Sequence, residues 1–211
     1  MRLGVLVSGR GSNLEAVLAA IGDGRLRDVE PVIVVSNRAG ARALDVAARH
    51  AVPSLILRRS AFAGDAAARD AAIGRALTAA GAELALLAGY DQVLTDAFFS
   101  AFAGRTINVH PSLLPAHGGP GMLGSMVHAS VLAAGERTSG ATIHEVTREL
   151  DAGPILARAE VPVELGDDVD RLAARVLEAE HRLCVATLRD LALRGEAGMR
   201  SATMGAARPA R

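Results

Sequence analysis

The segment from Val5 to Leu18 reads VLVSGRGSNLEAVL, a strand-like half that passes directly into a helix-like one. The first half is an apolar run rich in valine, the second has helical spacing, and Gly9 and Gly11 between them supply a tight turn. Ser12 and Asn13 follow as candidate caps for the helix. A strand that turns straight into a helix aims the helix's first backbone N–H groups beyond the strand end, where they attract anions. Alone, the stretch has a plainer reading as a turn and nothing more.

Working outward, comparable runs recur as RLGVLVS (2–8), PVIVVS (31–36), PSLIL (53–57), ELALLAG (83–89) and TINVH (106–110), with Ala-rich segments of helical spacing between them. That alternation predicts parallel strands joined by crossover helices. After Pro120 the pattern changes. A helical stretch from Gly124 to Ala134 precedes SGATIHEV and PILARAEVPV, two runs separated only by TRELDAG, which read as an antiparallel pair. From Asp167 to about Arg194 the apolar spacing fits one amphipathic helix, with acidic residues at its start. The expected fold is α/β: a Rossmann-like open twisted sheet, mostly parallel, with a C-terminal antiparallel strand pair. Residues 1–197 are expected to form a single domain, and GMRSATMGAARPAR (198–211), with nothing to bury, a loose tail.

Composition narrows the partners. The 211 residues are 50% hydrophobic and 22% charged, which suits one well-buried domain. The 23 basic residues, all Arg, offset 23 acidic ones, and no run of like charge suggests a nucleic-acid groove or a membrane surface, so a small-molecule partner is expected. The lack of Lys removes Schiff-base chemistry and the lysine of a Walker phosphate loop. Cys184 is the only cysteine, which leaves no intrachain disulfide and no thiolate metal cluster and marks it as a small core residue. Apolar stretches stay well short of ~20 residues, and Met1 runs directly into a strand, so a soluble, cytoplasmic protein is expected.

The first turn is not a dinucleotide fingerprint. Leu14 stands where a third glycine would be needed, and the second strand ends in Ser36 and Asn37 rather than an acidic residue for a ribose. A phosphate monoester fits better than NAD or FAD. Ligands of open α/β sheets collect outside the strands' carboxyl ends. Gly9–Asn13, Gly89–Leu94 and Asn108–Pro115 all follow such ends, so they should share one cleft. The third of them lies in TINVHPSLLPAHGGP, from Thr106 to Pro120, an irregular, proline-rich stretch that carries Asn108 and His110. With Asp151 of RELDAGP they make a reasonable acyl-transfer site: the Asp orients the His and favours its protonated form, and Asn and imidazolium donate to a developing oxyanion. Each also has a bland reading, as a structural His, a turn-forming Asp and an Asn that ties down a loop. No Ser or Cys nucleophile is required, because transfer from a bound donor to a bound amine can be direct. His117, His128 and His144 match no zinc spacing, no metal is expected, and His50 and His144 read most simply as structural.

The chain resembles the folate-dependent phosphoribosylglycinamide formyltransferase family over about Arg2 to Leu193, in VLVSGRGSNLEAVL, VVSNRAGARALDVAARH, LLAGYDQVL, NVHPSLLPA, SGATIHEV, LDAGPILARAEVPV and VLEAEHRL. The resemblance implies transfer of the formyl group of 10-formyltetrahydrofolate to the amine of 5-phosphoribosylglycinamide, with Asn108, His110 and Asp151 catalytic. It implies that Gly11, Ser12 and Asn13 hold the substrate phosphate and that Glu180 binds its ribose or amine portion. Asp91, Gln92, Val93, Leu94, Asn108 and Leu150 would line the folate pocket, with Asp65 at the glutamate tail, while His128 matches a loop histidine. Many relatives carry a basic residue at Gln92, and some at Asp65. The segment AHGGPGMLGSMVH is a longer, variant form of the family's loop. Alternatives are a relative sending the formyl group to water or to another amine, and a non-catalytic phosphate-ligand or folate sensor.

Overall fold

A computed structural model describes residues 1–205, with side chains as far as Arg194. Its single seven-stranded sheet has the order β3-β2-β1-β4-β5-β6-β7. β1 (Arg2–Val7), β2 (Glu30–Ser36), β3 (Ser54–Ile56), β4 (Leu84–Leu87) and β5 (Arg105–His110) are parallel. β6 (Thr138–Glu145) runs antiparallel to β5, and β7 (Ile155–Pro162) antiparallel to β6. The observed sheet is the one expected. The central strands β1 and β4 are buried along almost their whole length, as helices on both faces require. β3 shrinks to three exposed residues because it lies at the edge.

α1 (Ser12–Gly22), α2 (Arg42–Arg49), α5 (Ser125–Ala133) and α6 (Val169–Gly205) cover one face, with Leu14, Val46, Val131 and Val176 in the same core as Val5 and Ile107. Cys184 is fully buried there. α3 (Ala66–Ala79) and α4 (Asp96–Ala101) cover the other, where Ile73, Leu77, Phe98 and Phe102 meet Leu6 and Leu87.

Two helix starts differ from the sequence expectation. Ser12 and Asn13 do not cap α1; the cap position is Gly11, with φ 80°, and no side chain closes the first turn. Ser12 and Asn13 already lie within the helix, which frees Asn13 for a long-range contact described below. α6 begins at Val169, because Asp168 accepts from the N–H of Arg171 at 2.8 Å and acts as the cap. α6 also continues past Arg194 to Gly205, through GEAGMRSATMG, so the first part of the expected tail is helical in spite of three glycines. Residues 206–211, the rest of the expected tail, lie outside the described residues.

Candidate active site

The chain leaves β1 toward β2 and β3, then returns to β4 on the other side, so the sheet order switches between β1 and β4. A cleft of about 1130 Å³ opens there, at the carboxyl ends of β1, β4 and β5, and is closed laterally by the start of α6 and by residues 119–125. It brings together Gly11, Ser12, Asn13, Asp91, Gln92, Val93, Leu94, Asn108, His110, Leu150, Asp151 and Glu180. Asp65 is not among the residues around it. Its carboxylate caps α3 by accepting from the Ala68 N–H at 3.0 Å, a local task that the Asp before an Ala-rich run could have signalled.

At one end the turn Gly9–Gly11 packs against α2. The Ala43 N–H donates to the Gly9 carbonyl at 3.1 Å, and a Cβ on Gly11 would stand 2.6 Å from the Ala43 Cα. Gly11, Ser12 and Asn13 border the cleft, and no side chain caps the first-turn N–H groups of α1. Across from them Asn13 Nδ2 donates to Glu180 Oε2 of α6 at 2.6 Å. Burial pushes the Glu180 carboxyl up to about 7, against the opposing effects of the Asn13 hydrogen bond and the Arg10 charge.

The centre is set by strand geometry. Asn108 and His110 are two residues apart on β5 and so share a face. In the register of β6, His144 lies opposite Asn108 and Thr142 opposite His110. Thr142 Oγ1 donates to the Ser112 carbonyl at 2.7 Å and accepts from the Leu114 N–H at 3.1 Å, so β6 fastens the irregular loop beyond His110. His144 Nδ1 lies 2.9 Å from the Glu145 carbonyl, which can only accept, so Nδ1 carries the proton. Burial, the largest influence, lowers the His144 pKa despite the nearby Glu145 carbonyl and Asp151, and keeps the ring neutral. Its Nε2 then accepts from Asn108 Nδ2 at 3.1 Å, which fixes the orientation of that amide.

Asp151, at φ 54° in the β6–β7 connection, sits between the two histidines. Oδ2 is 3.8 Å from His110 Nδ1 and Oδ1 is 3.6 Å from His144 Nε2. His144, read from the sequence as structural, is thus part of the cleft, where it orients Asn108 and lies beside Asp151. Its signal was the strand register, which no local pattern carries. His128 also borders the cleft, its pKa lowered by burial and then by His110, and its Nδ1 is buried without a hydrogen-bond partner.

At the far end the side chains are already engaged. Asp91 accepts from Ser8 Oγ at 2.9 Å and Asn37 Nδ2 at 2.7 Å, and pairs with Arg38. Burial works to raise its pKa, but these groups and Gln92 outweigh it and hold the carboxyl below its usual range. Gln92 Oε1 accepts from Arg69 Nη1 at 3.1 Å, and the buried Arg69 is paired with the buried Asp70. What this end offers is apolar: Val93 (58% exposed), Leu123 (56%) and Leu150 (41%) stand at the cleft's edge.

An open α/β sheet whose cleft joins an uncapped helix start to an Asn–His–Asp group is a kind of site that acyl transfer can use. The formyl transferase family model matches residues 1–188, and the chain belongs to that family. It is 42% identical over 209 residues to the phosphoribosylglycinamide formyltransferase of Mycobacterium tuberculosis, covering 97% of this chain and 91% of the relative. The crystal structure of glycinamide ribonucleotide transformylase 1 from Symbiobacterium toebii superposes with a TM-score of 0.84 at 38% identity, covering 91% of this chain and 87% of that one. The trifunctional purine biosynthetic protein adenosine-3 of Gallus gallus is 39% identical over 188 residues, 89% of this chain, but the match spans only 18% of that longer protein. Among the described residues no helix is long and apolar enough to cross a membrane.

Proposed function

We propose that this chain is a phosphoribosylglycinamide formyltransferase, which moves the formyl group of 10-formyltetrahydrofolate to the amine of 5-phosphoribosylglycinamide in de novo purine synthesis. The family implies a folate-derived formyl donor. The observation that carries the reading is the meeting of Asn108, His110 and Asp151 in the same cleft as the open helix start at Gly11–Asn13. The phosphate of the ribonucleotide binds the N–H groups of Gly11, Ser12 and Asn13, and Glu180 takes the ribose or amine portion. Val93, Leu94 and Leu150, with the backbone of Asp91 and Gln92, enclose the pterin, and Asn108 faces its formyl group. Asp65, whose carboxylate caps α3 away from the cleft, has no part in binding either substrate.

The amine nitrogen attacks the formyl carbon, a C–N bond forms, and the carbonyl electron pair moves to oxygen. Asn108 contributes the amide hydrogen not spent on His144. His110 Nε2–H is already given to the His117 carbonyl, 2.9 Å away. His110 can therefore donate to the oxyanion only through Nδ1, in a ring that carries both protons, and Asp151 Oδ2 stands 3.8 Å from that nitrogen. Asp151 also helps remove the amine proton. Collapse breaks the bond to N10, which takes up a proton as tetrahydrofolate leaves.

We assign residues 1–197 to one formyltransferase domain acting on small molecules in the cytoplasm. A steady-state assay with both substrates tests the reading. Product formylglycinamide ribonucleotide is expected; formate release alone would transfer the reaction to water, and binding without turnover would make the chain a sensor.

A further inference from the structure

The loop beyond His110 folds back onto the site. The His117 carbonyl accepts from His110 Nε2 at 2.9 Å, and two residues later the Gly119 N–H donates to Asp151 Oδ2 at 2.8 Å. One short backbone segment thus holds both groups that flank the 3.8 Å gap between His110 Nδ1 and Asp151 Oδ2. Because a carbonyl only accepts, the first contact fixes a ring proton on Nε2 and turns Nδ1 toward Asp151.

The segment is itself held. The His117 ring Nδ1 is 2.8 Å from Ser130 Oγ on α5, and Ser112 Oγ donates to the Ala116 carbonyl at 2.7 Å. His117 has φ 55°, a left-handed conformation that a non-glycine residue keeps where its surroundings hold it. Gly118 sits so close that a Cβ would meet the buried Leu114 Cδ2 at 2.5 Å and the Asp151 Cβ at 3.3 Å.

We propose that His117–Gly119 is a positioning element for formyl transfer, fixing the ring state of His110 and the aim of Asp151, with the His117–Ser130 contact as its anchor. The inference rests on the formyl-transfer reading and deepens it. If the anchor goes, the ring of His110 is free to turn about its Cβ–Cγ bond and the carboxylate loses its fixed donor. Neither substrate's own contacts change. The loss should fall on kcat and not on binding.

Ser130 does not border the cleft, so Ser130→Ala removes the anchor without removing a lining residue. It should lower kcat about tenfold, in keeping with the sensitivity of reacting groups to misplacement, and leave both KM values within about twofold. Ser130→Thr, which keeps the hydroxyl, should restore most of the loss. In ¹⁵N NMR of the imidazole nitrogens, His110 should be protonated at Nε2 in the unmodified protein and should exchange between ring states in Ser130→Ala. Should Ser130→Ala not fold, Gly118→Ala, whose methyl drives the segment off Leu114 and Asp151, should give the same kcat-only loss. Unchanged kcat, kcat and both KM values falling out of range together, or an unchanged His110 spectrum in the variant would overturn the proposal. The spectrum is independent of turnover. A protein that made no formylated product yet lost the fixed Nε2–H in Ser130→Ala would defeat the formyl-transfer reading and leave the positioning role standing.

Discussion

The two ends of the cleft are built from different parts of the chain. The turn at Gly9–Gly11 presents backbone N–H groups, and Ala43 leaves no room for a Cβ at Gly11. The end around Asp91 and Gln92 presents side chains that already have partners, in Ser8, Asn37, Arg38 and Arg69, with exposed apolar residues beside them. On the proposed function, one end would select by fixed donors and charge, and the other by shape and apolar contact. A change at the first should be severe and confined to one substrate, and a change at the second mild.

Gly11→Val is the sharpest way to break that contrast. A branched side chain at φ 80°, with its Cβ 2.6 Å from the Ala43 backbone, must displace the turn. The KM for the ribonucleotide should rise on the order of 100-fold, about 2.7 kcal/mol of lost binding, while the KM for the folate changes little. A larger rise for the folate would mean that the two ends have been assigned in reverse.

Glu180 adds a titratable group to the rigid end, and its effect is smaller. Its carboxyl is raised from an ordinary 4.5 to about 7 in the folded protein, so over that interval the folded state binds the proton more tightly than the unfolded chain does. The stability this gives is complete below pH 4.5 and is lost as pH rises through about 7. Glu180→Gln should flatten the fall in melting temperature over this interval. If the variant and the unmodified protein lose melting temperature in parallel, burial has not raised this carboxyl.

The smallest effect is expected at the other end. Gln92 is committed to Arg69 and Asp91, and Asp65 to the start of α3, so neither is free to meet a glutamate tail. Arg69 is buried against Asp70 and cannot substitute. Mono- and polyglutamylated donors should differ by less than about tenfold in KM, because exposed charge pairs contribute only ~0.2 to 1 kcal/mol and a tenfold change needs ~1.4. Gln92→Arg would set a second guanidinium beside Arg69, so it should lower the melting temperature without creating a tail preference. A strong preference for the long tail in the unmodified protein would show that another cation serves it.

The sheet was legible because its strands are apolar runs separated by helical ones, and the antiparallel pair because TRELDAG is too short for a crossover. Asn108, His110 and Asp151 were legible as a set because each follows or joins strand ends on one edge. His144 was not. Alternation along β6 makes it one more inward residue, and only the pairing of β6 with β5 puts it opposite Asn108. Asn13 was misread as a cap for a similar reason, since its partner Glu180 lies 167 residues away. Local pattern supplies the elements, whereas contacts between elements decide which polar residues meet.

Formyl transfer as proposed depends on the Asp151 carboxylate supporting His110. Asp151→Asn keeps an oxygen that can accept the Gly119 N–H and removes only the charge. Single-turnover formyl transfer with both substrates saturating reads that charge directly. A fall of about 100-fold or more is expected, the scale of lost oxyanion stabilisation, in a protein whose melting curve and substrate affinities are little changed. A folded Asp151→Asn protein that transferred the formyl group at close to the unmodified rate would contradict it.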